Sequence, residues 1–404
     1  MVELLSPAGT YEKMLVAFNY GADAVYVAGQ RFGLRAFAGN FSMEELEKAV
    51  NYAHSLGRKL YVTINILAHE RDFDGLEDYV RFLDEIKVDA VIVADLGVIS
   101  FVKEVCPNLE IHVSTQANCL NSYTINFLAK MGVKRIVLAR ELSLNEVKEI
   151  RAKIPSEIDL EAFVHGAMCI SYSGRCLLSN YFCNRGSNQG ACVQACRWQY
   201  SVRKSEKNDD EYYPIEEDEK GTYILNSKDM CLIEHIKELA DAGISSFKVE
   251  GRMKSTYYVA TVINAYRRAI DNYLSKKEPT FNYIEELKKT SNRTFTTGFY
   301  FGADDKTNLE TSRLMQTHDF IASVIKDSKD NQVLVELRNK FKVGDILEVL
   351  SPSDSFNKEI IVEKIINEKG ENLTEAKKVK ERIYINANIE LKEGDILRRK
   401  ILWN

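Results

Sequence analysis

From residue 2 to about 276 one pattern recurs and limits the fold more than any other feature: a short apolar run, a polar or glycine-bearing turn, then an amphipathic helical stretch. Such alternation builds parallel strands, because a strand that returns in the same direction needs a crossover helix. The strand candidates are "VELLS" (2–6), "AVYVAG" (24–29), "KLYVTIN" (59–65), "AVIVAD" (90–95), "EIHVSTQ" (110–116), "RIVLARE" (135–141), "LEAFVHG" (160–166) and "SFKVEGR" (246–252). Eight units in about 275 residues fit a TIM-like (β/α)8 barrel of the α/β class, with an open doubly wound sheet as the alternative, since counting strands does not show closure. Helix signals agree: in "SMEELEKAVNYAHSLG", Ser42 and Glu45 have capping-box spacing and Gly57 supplies the stop.

In a barrel, chemistry belongs at the C-terminal ends of the strands. Here those ends carry Ser6, Gly29, Asn65, Asp95, Ser114 with Gln116, Arg140 with Glu141, Glu161 with His165, and Lys248 with Glu250 and Arg252. A polar strand end is ordinary taken alone; the set marks one end of the barrel as the place for a site. Directly after the seventh strand comes a loop of about sixty residues, and loops of that length inside compact domains are functional or disordered.

That loop, from residue 167 to 228, holds five of the eight cysteines. Six residues separate Cys169 from Cys176, fifteen separate Cys176 from Cys192, and three separate Cys192 from Cys196, with Cys183 inside the run and Cys231 beyond it. Met1 leads into "VELLSPAGTYEKM" without a basic or apolar leader, and there is no run of eighteen apolar residues, which points to the cytoplasm and away from membranes. Thiols there stay reduced, so a cluster of them reads as a metal site or a nucleophile before it reads as disulfides. The spacing matches neither paired zinc knuckles nor a ferredoxin run, so zinc and iron both remain open. A cysteine nucleophile would need a base such as His165, but no third, orienting residue is evident. Cys106 and Cys119 read as core.

After Lys276 the composition shifts. A connecting helix and linker occupy 277–319, and 320–404 reads as a small β-barrel of short strands separated by turns. The net charge of −5 speaks against nonspecific nucleic-acid binding. The C-terminal domain nonetheless carries two basic groups, Lys377, Lys378, Lys380 and Arg382, and Arg398, Arg399 and Lys400.

The stretch "EAFVHGAMCISYSGRCLLS" fits the signature E-x-F-x-x-G-[SA]-x-C-x4-G-x-C-x-x-S through Glu161, Phe163, Gly166, Ala167, Cys169, Gly174, Cys176 and Ser179. With "LLSPAG", "GADAVY", "HVSTQAN", "VLARELSL", "NSKDMC" and "KVEGRMKS", the chain resembles the collagenase-like peptidase family of unknown catalytic type, the U-thirty-two family. Members of that family look like oxygen-independent hydroxylases that carry a 4Fe-4S cluster and depend on prephenate. "QGACVQACRWQY" and the appended β-domain are similar to the branch that converts the wobble uridine of tRNA to 5-hydroxyuridine. A ribosomal RNA cytidine hydroxylase and a peptidase are the alternatives. The resemblance implies Cys169, Cys176, Cys192 and Cys196 as cluster ligands, with Cys231 in reserve for the fourth. By position, Arg140, Lys248 and Arg252 would hold prephenate carboxylates, and Glu161 and His165 would move protons. The expected partner is tRNA; a second, homologous protein stays open.

Overall fold

The computed structural model describes residues 2–33, 40–168, 228–302 and 314–401, with positions 171, 173–176, 178–183, 185, 193, 195, 217–218 and 221–222. The chain forms two compact units, one of residues 1–11, 23–253 and 293–314, the other of residues 12–22, 254–292 and 315–404.

In the first unit the eight expected runs become β1 (Glu3–Pro7), β2 (Ala24–Val27), β3 (Lys59–Ile64), β4 (Ala90–Val93), β5 (Ile111–Val113), β6 (Arg135–Val137), β7 (Asp159–Ala167) and β8 (Ile244–Val249). Each pairs in parallel with the next, and β8 pairs with both β7 and β1, so the ring closes and the open-sheet alternative is excluded. Strands buried on both faces read as continuous apolar runs, as in β2 and β4, every residue of which is buried. Leu5, Ala24, Tyr26, Tyr61, Ala90 and Ile92 cluster as apolar core. The capping box forms as its spacing implies: the Glu45 N–H donates to Ser42 Oγ at 3.1 Å, and the Ser42 N–H to the Glu45 carboxylate at 3.0 Å.

Several strands stop short of their apolar runs because polar side chains pull the chain out of the ladder. After β5, Ser114 Oγ accepts the Gln116 N–H at 3.3 Å and starts a tight turn over Thr115–Ala117. After β4, the Asp95 carboxylate accepts the Gly97 and Val98 N–H groups and caps the helix Leu96–Val105. β7 is long enough to take a third partner besides β6 and β8: Asp229–Cys231 pairs antiparallel with its last residues, and Phe295–Thr296 pairs with Asp229–Cys231 in turn.

The second unit contains β9 (His318–Val324), β10 (Gln332–Leu337), β11 (Ile346–Leu350), β12 (Glu359–Ile361), β13 (Ile365–Asn367), β14 (Asn372–Leu373), β15 (Arg382–Asn386) and β16 (Ile396–Lys400). They form one antiparallel sheet in the order β12-β11-β16-β9-β10-β15-β13-β14. Alternate residues such as Val333, Val335, Ile383 and Ile385 fill an apolar core. Chain segments from far upstream join this unit. The Tyr20 hydroxyl donates to the Leu350 and Gly394 carbonyls at 2.9 and 3.0 Å. Arg398 is fully buried and reaches Glu286, Glu348 and Asn357, each at 2.6 Å.

The basic group at the end of the chain is divided by burial, with Lys400 exposed. Arg398 is spent inside the unit, and Arg399 pairs with Asp345 at 2.6 Å. Lys377, Lys378, Lys380 and Arg382 do lie exposed. Among the described residues, no helix is long and apolar enough to cross a membrane.

Candidate functional site

At the C-terminal end of the barrel strands lies a cavity of about 70 Å³. Strand-end side chains converge on it: Asn65 after β3, Ser114 and Gln116 after β5, Arg140 after β6, and Lys248, Glu250 and Arg252 from β8 and its extension. Tyr26, Ile92 and Phe163 form the apolar wall. Three cations face one carboxylate there, which suits an anion. A cavity of this order takes a carboxylate group.

Each cation has partners that hold it in place. The Lys248 ammonium sits 2.7 Å from the Glu161 carboxylate and 4.5 Å above the Tyr26 ring. Arg140 donates to the Ala167 carbonyl at 2.8 Å, pairs with Glu250 at 3.1 Å and lies 3.9 Å over the Phe163 ring. Arg252 donates to Asn40 Oδ1 at 2.9 Å and Thr63 Oγ1 at 3.4 Å. The last two are neutral acceptors.

Glu161 lies beneath this layer, fully buried. Besides Lys248 it accepts from Arg135 at 3.2 Å and from the Ser246 hydroxyl at 3.2 Å. Arg135 is itself paired with Glu3 at 2.5 Å. Burial pushes the Glu161 carboxyl up, but Lys248 and Arg135 outweigh it and hold the group below its ordinary range. A carboxylate so fixed positions Lys248 and does not exchange protons near neutrality. His165, two residues from the end of the same strand, is buried with its ring 5.7 Å from that of Phe295. Of the two expected proton carriers, neither is among the residues lining the cavity.

Of the four expected cluster ligands, Cys169, Cys192 and Cys196 lie outside the described residues, and Cys176 is half-buried. The segment leading to Cys176 is pinned over the ends of β5 and β6. Ser173 donates its N–H to Glu141 at 2.9 Å, and its hydroxyl lies 3.5 Å from Thr115 Oγ1. Gly174 has φ +72, and a Cβ there would stand 2.2 Å from the Gln116 carbonyl oxygen, so no other residue fits. Ser179, three residues past Cys176, accepts the Val193 N–H at 3.1 Å, which ties the stretch bearing Cys176 to the residue after Cys192 in sequence. Cys231 is buried opposite His165 in the antiparallel pairing. Among the described residues no three His, Cys, Asp or Glu side chains gather as a metal site. The donor chemistry still fits a soft metal: a half-buried thiol anchored beside a cationic cavity, in a segment with four more thiols. Cys106 and Cys119 are core as expected, and burial pushes the Cys119 thiol up to about 12.

Sequence reasoning found the polar strand ends that line the cavity, and it missed the roles of Arg135, Thr63 and Tyr26. Their only signal was inward alternation along a strand, which core residues share.

The fold and the site together define a closed (β/α)8 barrel with an anion-suited cavity at its mouth and a cysteine-bearing segment anchored beside it. The chain belongs to peptidase family U32: that family's model matches residues 9–310, and the model of its C-terminal domain matches residues 316–398. It is 42% identical to "tRNA hydroxylation protein P1" of Bacillus subtilis (strain 168) over 382 residues, 93% of this chain and 89% of the relative. It is 39% identical to "tRNA hydroxylation protein P" of Escherichia coli (strain K12), covering 91% of this chain and 90% of that one. A protein named "Collagenase" from Porphyromonas gingivalis is 32% identical, over 74% of this chain and 73% of its own.

Proposed function

We propose that this protein is a tRNA hydroxylase that converts the wobble uridine to 5-hydroxyuridine without oxygen, using prephenate and a 4Fe-4S cluster. The observation that carries the reading is the cysteine segment fixed by Gly174 and Ser173 beside a mouth lined by Arg140, Lys248 and Arg252. Near-full-length likeness to proteins named for tRNA hydroxylation supports the substrate.

Cys169, Cys176, Cys192 and Cys196 would hold the cluster, with Cys231 as the reserve for the fourth position. The cluster would supply electron transfer, which side chains alone do not. Arg252 and Lys248 would grip a carboxylate of prephenate by charge-assisted hydrogen bonds, and Arg140, steadied by Glu250, would close the third side. Glu161 keeps Lys248 aimed into the cavity. His165, opposite Cys231 in the antiparallel pairing, would serve proton movement at that end of β7.

The test is nucleoside mass spectrometry of tRNA from a strain lacking this protein, beside a strain blocked before chorismate. Both should lose 5-hydroxyuridine and its derivatives. Persistence of 5-hydroxyuridine in the first strain, with no paralogue or oxygen-dependent enzyme to account for it, removes the tRNA role; persistence in the second alone removes prephenate.

A further inference from the structure

A second and larger cavity, of about 330 Å³, opens beside the mouth between the segments that follow β2 and β3, lined by Gln30, Arg31, Phe32 and Gly33 from one and by Arg71 and Asp72 from the other. A Cβ on Gly33 would stand 3.5 Å from Thr63 Oγ1, and Thr63 lines the mouth cavity, so the two cavities adjoin.

Three features show a site built around arginine. Phe32 has φ +64, a left-handed conformation that strains a bulky side chain and that concentrates at binding loops. The strained residue carries Arg31: its ring is buried against Tyr79 with 5.3 Å between centroids, and the Arg31 guanidinium lies 4.7 Å over it. Arg31 also donates to the Asp74 carbonyl at 2.7 Å, and a Cβ on Gly75 would stand 3.0 Å from its Nη1. Arg71, by contrast, has no side-chain hydrogen-bond or ion-pair partner among the described residues. The one carboxylate, Asp72, is engaged by the His69 N–H at 2.8 Å.

We infer that this pocket binds a phosphate of a nucleotide, held between Arg31 and Arg71. Two guanidinium forks, one pre-set and one open, match phosphate geometry. A pocket of this volume also has room for the attached sugar or base. Resting on the tRNA reading above, the phosphate is a phosphodiester of the RNA next to the nucleotide at the mouth.

The experiment uses the full-length, metal-loaded protein and two probes, uridine 5′-monophosphate and tRNA. R31A and R71A are compared with R81A, a control in which Arg81 sits exposed and paired with Glu77. Each pocket variant should weaken uridine monophosphate binding about tenfold or more and lower the salt slope of tRNA binding by about one, with R81A unchanged. Unchanged monophosphate binding in both variants overturns the site. Weakened monophosphate binding with unchanged tRNA affinity and salt slope overturns the RNA role and leaves a pocket for a free phosphorylated molecule. A wild type that binds the monophosphate but no tRNA sinks the tRNA reading alone; one that binds neither sinks both.

Discussion

Lys248 and Glu161 illustrate how a charged pair can be structure and site at once. Removing one partner of a buried pair leaves the other uncompensated, so K248M should cost about 3 kcal/mol in urea unfolding, and K248M/E161Q should regain most of it. A single variant as stable as the wild type would mean that solvent reaches Glu161. The pair also sets a pH dependence. Because the Glu161 carboxyl is held below its ordinary 4.5, its stabilisation is complete above that value and is lost as pH falls through the lower folded value. In the second unit burial drives His318 down from 6.5 to about 4, with Glu348 opposing. The unfolded chain binds that proton more readily, so stability should rise with pH between about 4 and 6.5, a rise that H318N should flatten in urea midpoints measured across the range. None of this was legible beforehand, since the sequence shows that Glu161 and Lys248 lie in strands but not that they meet; Glu161, expected at a strand end, sits near the start of β7.

At the scale of elements, the barrel strands were legible because parallel strands buried on both faces read as short, mostly apolar runs, and their helices carry caps such as Ser42 with Glu45. Their ends were less so, since caps at Ser114 and Asp95 act on backbone groups that a pattern does not reveal. The cysteine spacing pointed to a metal site in the loop after β7, and the anchors at Ser173, Gly174 and Ser179 became visible only in three dimensions. Those anchors carry a prediction. G174A places a methyl against the Gln116 carbonyl in a left-handed conformation, so the anaerobically purified variant should retain a small fraction of the wild-type iron while its far-ultraviolet circular dichroism stays native. Full iron retention would mean that the segment's docking is not what positions the thiols.

For the whole molecule, the change of composition near residue 320 marked a β-rich domain, but its recruitment of residues 12–22 and 254–292 left no trace in composition. Long-range burial explains this: the partners of Arg398 and Tyr20 are distant in sequence and individually unremarkable. A chain truncated at residue 315 should therefore lose thermal stability, because Glu286 loses Arg398, and Tyr20 loses both carbonyls; a melting temperature equal to that of the full chain would show that these contacts contribute nothing.

The proposal that hydroxylation depends on a cluster held by the anchored thiols is tested most directly by complementation. A strain lacking the protein is supplied with the wild type, C176A or C183A, and 5-hydroxyuridine per tRNA is measured by mass spectrometry at matched protein levels. The expected result is restoration by the wild type and by C183A and none by C176A. Restoration by C176A to the wild-type level would contradict it.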